Sequence, residues 1–253
     1  MSREMISTST RRQVSEWARL TQKKFRRERG QFLIEGEICV REAVRARLTI
    51  EAMLVLASER EKWLREFPAS IPVFALAASD FARFAKIESS QGILAVARTF
   101  ELPPRAGKIA LACEQVSDPG NCGALMRVAD FFGASELCLG PDSAEIWNPK
   151  VVRGSMGALF RLPVRTDANL EELVRAWPGA SVAAVAHGGQ PLHTARDLKK
   201  PVLLVLGHET RGLSDEIASL CSHRFTLSSS GKSESLNLVT AAAVFAYELS
   251  NLR

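Results

Sequence analysis

Three short polar stretches hold the residues of this 253-residue chain whose types and spacing could do chemistry. In "DPGNCGALMR", Asp118 to Arg127, Pro119-Gly120 bends the backbone, Gly123 permits a close approach, and Asn121 offers an amide within the turn. Arg127 follows Gly123 by four residues, about one helical turn, so its guanidinium can point back toward whatever the turn holds. Two readings stand for it: a charge held for a ligand, or a solvated side chain paired with Asp130 or Glu136. In "LGHETRGLS", Leu206 to Ser214, Gly207 and Gly212 bracket a loop whose N–H groups can face a ligand, and Glu209 is its carboxylate. Tight turn geometry alone is the alternative there. In "LSSSGKSESLN", Leu227 to Asn237, Gly231 breaks a strand, and Ser235 and Asn237 stand where a helix begins. They serve either as caps for its orphan N–H groups or as one wall of an anion site. None of the three contains G-x-G-x-x-G, and the Gly207-x-x-x-x-Gly212 spacing of the second lacks the Lys-Ser/Thr of a P-loop. That argues against a nicotinamide dinucleotide site and leaves an anion or an adenosine-like cofactor.

Each stretch follows an apolar run that reads as a strand: "KIALACEQV", "PVLLVLG" and "HRFTLS". Two more strands, "ELCLG" and "SVAAVAHGG", alternate with helices "ALMRVADFFGA" and "DEIASLC", and "SESLNLVTAAAVFAYEL" closes the chain as a long apolar helix. That alternation predicts a parallel sheet with helices on both faces and ligands outside the carboxyl ends of its strands. Upstream lies a smaller α/β unit. It has strands in "QFLIE", "TIEAMLVLA", "IPVFALA" and "QGILAVART", a helix with apolar positions Ile38, Val40, Ala43 and Val44, and a helix starting at Ser79-Asp80. The expected organisation is a basic arm over 1–19, a small domain over 20–98, a linker over 99–107 containing "ELPPRAG", and a second domain over 108–253.

Charge is distributed unevenly. Residues 1–30 carry nine Lys/Arg against Glu4, Glu16 and Glu28, a balance of +6 in a chain of net +5. Such a segment either binds a polyanion, releasing condensed counterions, or is a solvated terminus. The five cysteines are widely spaced without a C-x-x-C pair, and the four histidines lack i,i+4 spacing, so neither a disulfide framework nor a metal site is expected. The longest apolar runs are far shorter than a bilayer span, and the basic N-terminus lacks a secretory h-region, so a soluble cytoplasmic protein is expected.

Taken together, "DPGNCGALMRVADFFGA", "NPKVVRGSMGALFRLPV", "LVLGHETRGLS" and "SLNLVTAAAVFAYE" resemble, in order and spacing, the motifs of the SpoU or TrmH-like RNA ribose methyltransferases across 107–253. The stretch "KKFRRERGQFLIEGEICVREAV" resembles, over a shorter match, the substrate-binding domain that often precedes such a catalytic domain. The resemblance implies an α/β SPOUT fold with a deep trefoil knot binding S-adenosylmethionine, a homodimer with its RNA site shared between subunits, and a small ribosomal-protein-like RNA-binding domain in front. It implies catalytic roles for Arg127, Asn121, Glu209, Ser235 and Asn237. Cofactor contacts are implied at Leu206, Gly207, His208, Glu209 and Gly212 of the second motif, with Leu213 beside them, and at Leu227, Ser229, Ser235, Leu236 and Asn237 around the third. Arg153 and Ser155 match the intermediate segment and are expected near substrate, while Arg11, Arg12, Lys23, Lys24, Arg26 and Arg27 are expected to contact RNA.

The implied reaction is transfer of a methyl group to a ribose 2′-hydroxyl, in large-subunit rRNA ahead of tRNA; the rival from another class is a non-catalytic RNA-binding or ribosome-assembly protein on the same fold. No membrane or metal partner is expected. One departure stands out: members commonly show Ile-Pro-Met before the Gly of the third motif, where this chain has Leu227-Ser228-Ser229, a less apolar wall expected to weaken cofactor packing.

Overall fold

The computed structural model describes residues 6, 7, 10–84, 91–231 and 235–252. Arg3 of the basic segment, Ala85 at the end of "SDFARFA", and Ser233 and Glu234 at the entrance of the last helix lie outside the described residues. The chain divides into two compact α/β units: Met1–Phe100 with Glu145–Phe160, and Glu101–Ala144 with Arg161–Arg253.

The first unit contains β1 (Ile6–Ser7), α1 (Arg11–Ala18), α2 (Lys23–Arg29), β2 (Gln31–Glu35), α3 (Glu37–Arg45), β3 (Ile50–Leu56), α4 (Arg60–Glu66), β4 (Val73–Leu76), α5 (Ala78–Phe81) and β5 (Ile93–Arg98). Its sheet runs β1-β4-β3-β5-β2, with β1, β4 and β3 parallel and β5 antiparallel to both its neighbours. The expected arm is not separate from this unit. Thr10 caps α1 by accepting from the Gln13 N–H, Val14 is buried in the core, and Trp17 packs on Phe74 at 5.0 Å. Apolar residues at helical spacing draw α1 onto the sheet, leaving Arg11 and Arg12 exposed. Gly30, at φ +59°, supplies the left-handed turn that ends α2 and starts β2. In α3 the buried face is Cys39, Val40 and Ala43, whereas Ile38 stays 49% exposed. The helix is therefore rolled by about one position from the expected face, with the Cys39 thiol donating to the Val152 carbonyl at 3.8 Å.

The second unit contains β6 (Ile109–Cys113), α6 (Pro119–Phe131) and β7 (Leu137–Leu139); after α7 (Pro149–Ser155), which groups with the first unit, come β8 (Val164–Arg165), α8 (Leu170–Ala176), β9 (Ser181–Ala184), β10 (Gln190–Pro191), β11 (Val202–Leu206), α9 (Asp215–Leu220), β12 (His223–Thr226) and α10 (Leu238–Asn251). All neighbours in its sheet, ordered β10-β12-β9-β11-β6-β7-β8, are parallel. Every residue of β6 and β11 is buried, as central strands covered on both faces require. The chain leaves β6 toward β7 and leaves β11 toward β12, on the opposite side. Those two neighbouring strands mark the switch point where a parallel sheet opens a crevice. The last helix begins at Leu238, later than its sequence suggests, because Asn237 caps it by accepting from the Val239 N–H at 2.9 Å. Leu238, Ala242, Phe245, Ala246 and Leu249 form its buried stripe. Among the described residues, no helix is long and apolar enough to cross a membrane.

Residues 145–160 return to the first unit and fasten to β2 and α2. Trp147 packs against Phe32 at 4.6 Å, and Glu145 forms an ion pair with Arg26, whose guanidinium also donates to the Leu20 carbonyl at 2.9 Å. Arg26 is 3% exposed. This corrects its expected role as an RNA contact: a guanidinium withdrawn from solvent and turned to an internal carboxylate and carbonyl does not reach a phosphate. Removing one partner strands the other charge, so Arg26→Ala should cost about 3–5 kcal/mol in denaturant unfolding, and the double replacement Arg26→Met with Glu145→Leu should cost less than that single change. An Arg26→Ala loss below about 1 kcal/mol contradicts this account of the pair.

Candidate functional site

A cavity of about 450 Å³ lies at the carboxyl ends of β9, β11 and β12 and the start of α10, within the size range of sites for cofactor-sized ligands. The loop after β11 supplies Gly207 to Leu213, the loop after β12 supplies Thr226 to Ser229, and Ser235, Leu236, Leu238, Ala241 and Phe245 complete one side. Leu206, Leu238 and Phe245 are buried and make the apolar floor, while Glu209, His208, Ser228, Ser229 and Ser235 are the polar groups of the walls. The expected cofactor residues Leu206, Gly207, His208, Glu209, Gly212, Leu227, Ser229, Ser235 and Leu236 all line it. Asn237 does not; it is spent on capping α10.

The loop after β11 is built around two glycines. A Cβ on Gly207 would lie 1.9 Å from the Leu213 nitrogen and 2.0 Å from the Gly212 carbonyl carbon, so only glycine lets the chain fold back this closely. Gly212, at φ +71°, makes the return, and two backbone bonds between His208 and Gly212, 2.9 and 3.0 Å, close it. Glu114 secures the far end by accepting from the Ser214 N–H at 2.9 Å. Glu209 is held in turn by the Asn121 amide, whose Nδ2 donates to Oε1 at 2.8 Å. That bond spans the crevice between β6 and β11, and Asn121 is itself fixed because the Asp118 carboxylate accepts from its N–H at 2.9 Å.

Arg127 is not a lining residue of the cavity. It stands on the exposed face of α6, one turn before Phe131. Of the two acidic partners its sequence position offers, Asp130 is taken by Arg161 at 2.7 Å and Arg105 at 3.7 Å, and Glu136 by Arg165 at 2.6 Å. Arg127 therefore has no acidic partner among the described residues, which removes the ion-pair reading of it. Cys122 lies beside Asn121 but is buried, and that burial, with the Asp118 charge, pushes its thiol up to about 12, so it is no thiolate nucleophile at neutral pH. Burial likewise pushes Cys39 up to about 11.

Arg153 pairs with Glu35 at 3.2 Å, and Ser155 is fully buried with its hydroxyl donating to the Val152 carbonyl at 2.7 Å; both group with the first unit. Burial raises the Glu35 carboxyl, and the Arg153 charge opposes that rise. On α1 and α2, Arg11, Arg12, Lys23 and Arg27 are exposed without an acidic partner among the described residues. Lys24 lies 3.9 Å from Glu28, and Arg19 stacks at 4.0 Å on Phe25. The loop after β9, Val185 to His187, also lines the cavity and was missed by sequence reasoning. Its signal was the Gly188-Gly189 pair directly behind an apolar strand, since a Cβ on Gly189 would lie 2.7 Å from Phe225 backbone. Among the described residues, no three metal-ligating side chains cluster.

Residues 108–247 match the model of the SpoU rRNA Methylase family, and residues 11–95 match that of the MRM3-like substrate binding domain. The chain is 28% identical, over 97% of its own length and 99% of the relative's, to the 23S rRNA (guanosine(2553)-2'-O)-methyltransferase RlmP of Bacillus subtilis (strain 168). Its fold is similar to that of the AdoMet-bound rRNA methyltransferase from Sinorhizobium meliloti, with TM-score 0.84 and 26% identity over 96% of this chain and 97% of that one. It is similar also to the SpoU methyltransferase AviRb from Streptomyces viridochromogenes in complex with AdoMet, with TM-score 0.83 and 25% identity over 97% and 100%.

Proposed function

The chain belongs to the SpoU rRNA methylase family, and from that premise we propose that it methylates a ribose 2′-hydroxyl of RNA with S-adenosylmethionine, in large-subunit rRNA. The observation that carries the assignment of the site is the Asn121–Glu209 hydrogen bond, which joins the first and second motifs across the crevice beside the cavity. The lining fits an adenosine-like cofactor that carries a cation: an apolar floor, a loop of close-set backbone, and the Glu209 carboxylate on the wall. When bound, S-adenosylmethionine supplies an electrophilic methyl group on a sulfonium.

The chain's own residues then have two tasks. Gly207 to Leu213, Leu227, Ser229, Ser235 and Leu236 hold the cofactor, with Asn121 fixing Glu209. Arg127 meets the RNA. A guanidinium stays protonated at any working pH, so it cannot take the hydroxyl proton; its use is as a preorganised charge on the neighbouring phosphate or on the alkoxide that develops. Specificity for RNA follows from the reacting 2′-hydroxyl, and Arg11, Arg12, Lys23, Lys24 and Arg27 supply the salt-sensitive part of binding.

A homodimer completes this reading. Phe131 is 83% exposed, Tyr247 57% and Val244 39%, a cluster of apolar side chains on α6 and α10 that a second copy of the chain would cover. Arg127 lies one turn from Phe131, at the edge of this patch, and in this reading it serves the partner's cavity. The reading includes the trefoil knot at the C-terminal segment and a cytoplasmic location. Calorimetry with S-adenosylmethionine, then tritiated-methyl transfer to rRNA and tRNA, tests the activity. Transfer to 23S rRNA at a ribose oxygen is expected; cofactor binding without transfer to any RNA would establish the non-catalytic alternative instead.

A further inference from the structure

Within the cavity loop, one side chain does a backbone's work. His208 pairs with Gly212 through both main-chain groups, and its Nδ1 accepts from the Thr210 N–H at 3.1 Å, with the Thr210 hydroxyl also 3.1 Å away. Thr210 lies at the tip of the five-residue turn, where its N–H finds no main-chain acceptor among the bonds that close the turn. An Nδ1 that accepts leaves the ring proton on Nε2. The imidazole thus ties the tip to the base, and the residue between them is Glu209, whose carboxylate the Asn121 amide holds from the other side of the crevice.

We propose that His208 is a positioning residue: by accepting from Thr210 through Nδ1 it sets the turn that presents Glu209 and the loop backbone to the cofactor. This rests on the S-adenosylmethionine reading of the cavity and goes beyond it, giving the His208 ring a task within the turn rather than only a place in the cavity wall. Asparagine puts its Oδ1 where Nδ1 stands, whereas glutamine carries its oxygen one atom farther, at the level of Nε2.

The test is cofactor affinity by calorimetry in the full chain for His208→Ala, His208→Asn and His208→Gln, with imidazole ¹⁵N shifts of the cofactor-free wild type. His208→Ala and His208→Gln are expected to weaken S-adenosylmethionine binding about tenfold, the scale of one lost hydrogen bond, with His208→Asn within about twofold of wild type. Wild-type shifts should show Nδ1 unprotonated. Equal affinity for wild type and His208→Ala overturns the proposal, and so does a His208→Asn variant as weak as the alanine. If the wild type binds no S-adenosylmethionine, the reading of the cavity fails, while the imidazole shifts still decide on the turn: a protonated Nδ1 overturns the proposal by itself.

Discussion

Replacing Arg127 by alanine is expected to lower single-turnover methyl transfer by about 10²–10³-fold, as loss of one preorganised charge at a reacting oxygen does, while S-adenosylmethionine affinity stays within about twofold. Two observations separate these effects. Arg127 does not line the cavity, so the cofactor loses no contact; and its acidic neighbours Asp130 and Glu136 are committed to other arginines, so no internal pair is broken that could unsettle α6. Arg127→Lys keeps a charge but loses the bidentate fork, and should fall between the two. Rates measured with saturating RNA and cofactor decide the matter, and a near-wild-type rate for Arg127→Ala removes Arg127 from the reaction.

Gly207→Ala should abolish measurable cofactor binding. The added methyl would meet Leu213 nitrogen at 1.9 Å, Gly212 carbon at 2.0 Å and Gly212 oxygen at 2.2 Å, all of them backbone, so no side chain can swing aside to admit it. The turn must open, the His208–Gly212 bonds part, and Glu209 leaves the position the Asn121 amide defines. Overpacking of this kind costs about 1–3 kcal/mol, small enough for the unit to stay folded. Far-UV circular dichroism should therefore remain native while calorimetry shows at least about a 100-fold loss of affinity, equivalent to roughly 2.7 kcal/mol. Gly231→Ala, whose Cβ meets nothing within 4 Å among the described residues, is the matched control and should bind normally. Retained affinity in Gly207→Ala would show that the loop is not the cofactor's seat.

The two variants together also report on the dimer. If Arg127 serves the partner's cavity, a subunit with Arg127→Ala and an intact cavity regains its arginine from a Gly207→Ala partner. Re-equilibrated equal mixtures of the two inactive proteins then recover about a quarter of wild-type activity, because half the dimers are mixed and each has one complete site. Recovery of nothing places Arg127 at its own subunit's cavity or leaves the chain monomeric, which sedimentation distinguishes.

Much of the site was readable along the chain, for a local reason. A turn that needs Gly207 and Gly212, a capping Asn237 and a bend at Pro119-Gly120 are requirements of backbone geometry over a few residues, and residue type answers them directly. Continuous apolar runs such as Val202 to Leu206 mark central parallel strands in the same way. Where local signals compete, reading by pattern loses. Arg26 sits amid surface cations yet is buried, because Glu145, 119 residues away, reaches it. Ile38 fits the helical period of α3 yet faces outward, because the face that packs is Cys39, Val40 and Ala43, with Cys39 against residues more than 110 positions away. The loop after β9 offered a single His187 without a partner motif and became a cavity wall through its strand's place beside β11 and β12.

What the sequence by itself determined, then, is the list of strands, the turns that follow them and the residue types those turns carry, since each depends on periodicity and dihedral preference within about a dozen residues. Only the tertiary structure decided which turns meet. Asn121 and Glu209 are 88 residues apart and touch because β6 and β11 pair in register, Leu111 beside Leu204, with their exits on opposite sides. Among the described residues Arg127 is left without an acidic partner for the same kind of reason: Arg161 and Arg165, remote in sequence, hold Asp130 and Glu136. Pairing across such distances is set by long-range packing and strand order, which no local pattern encodes.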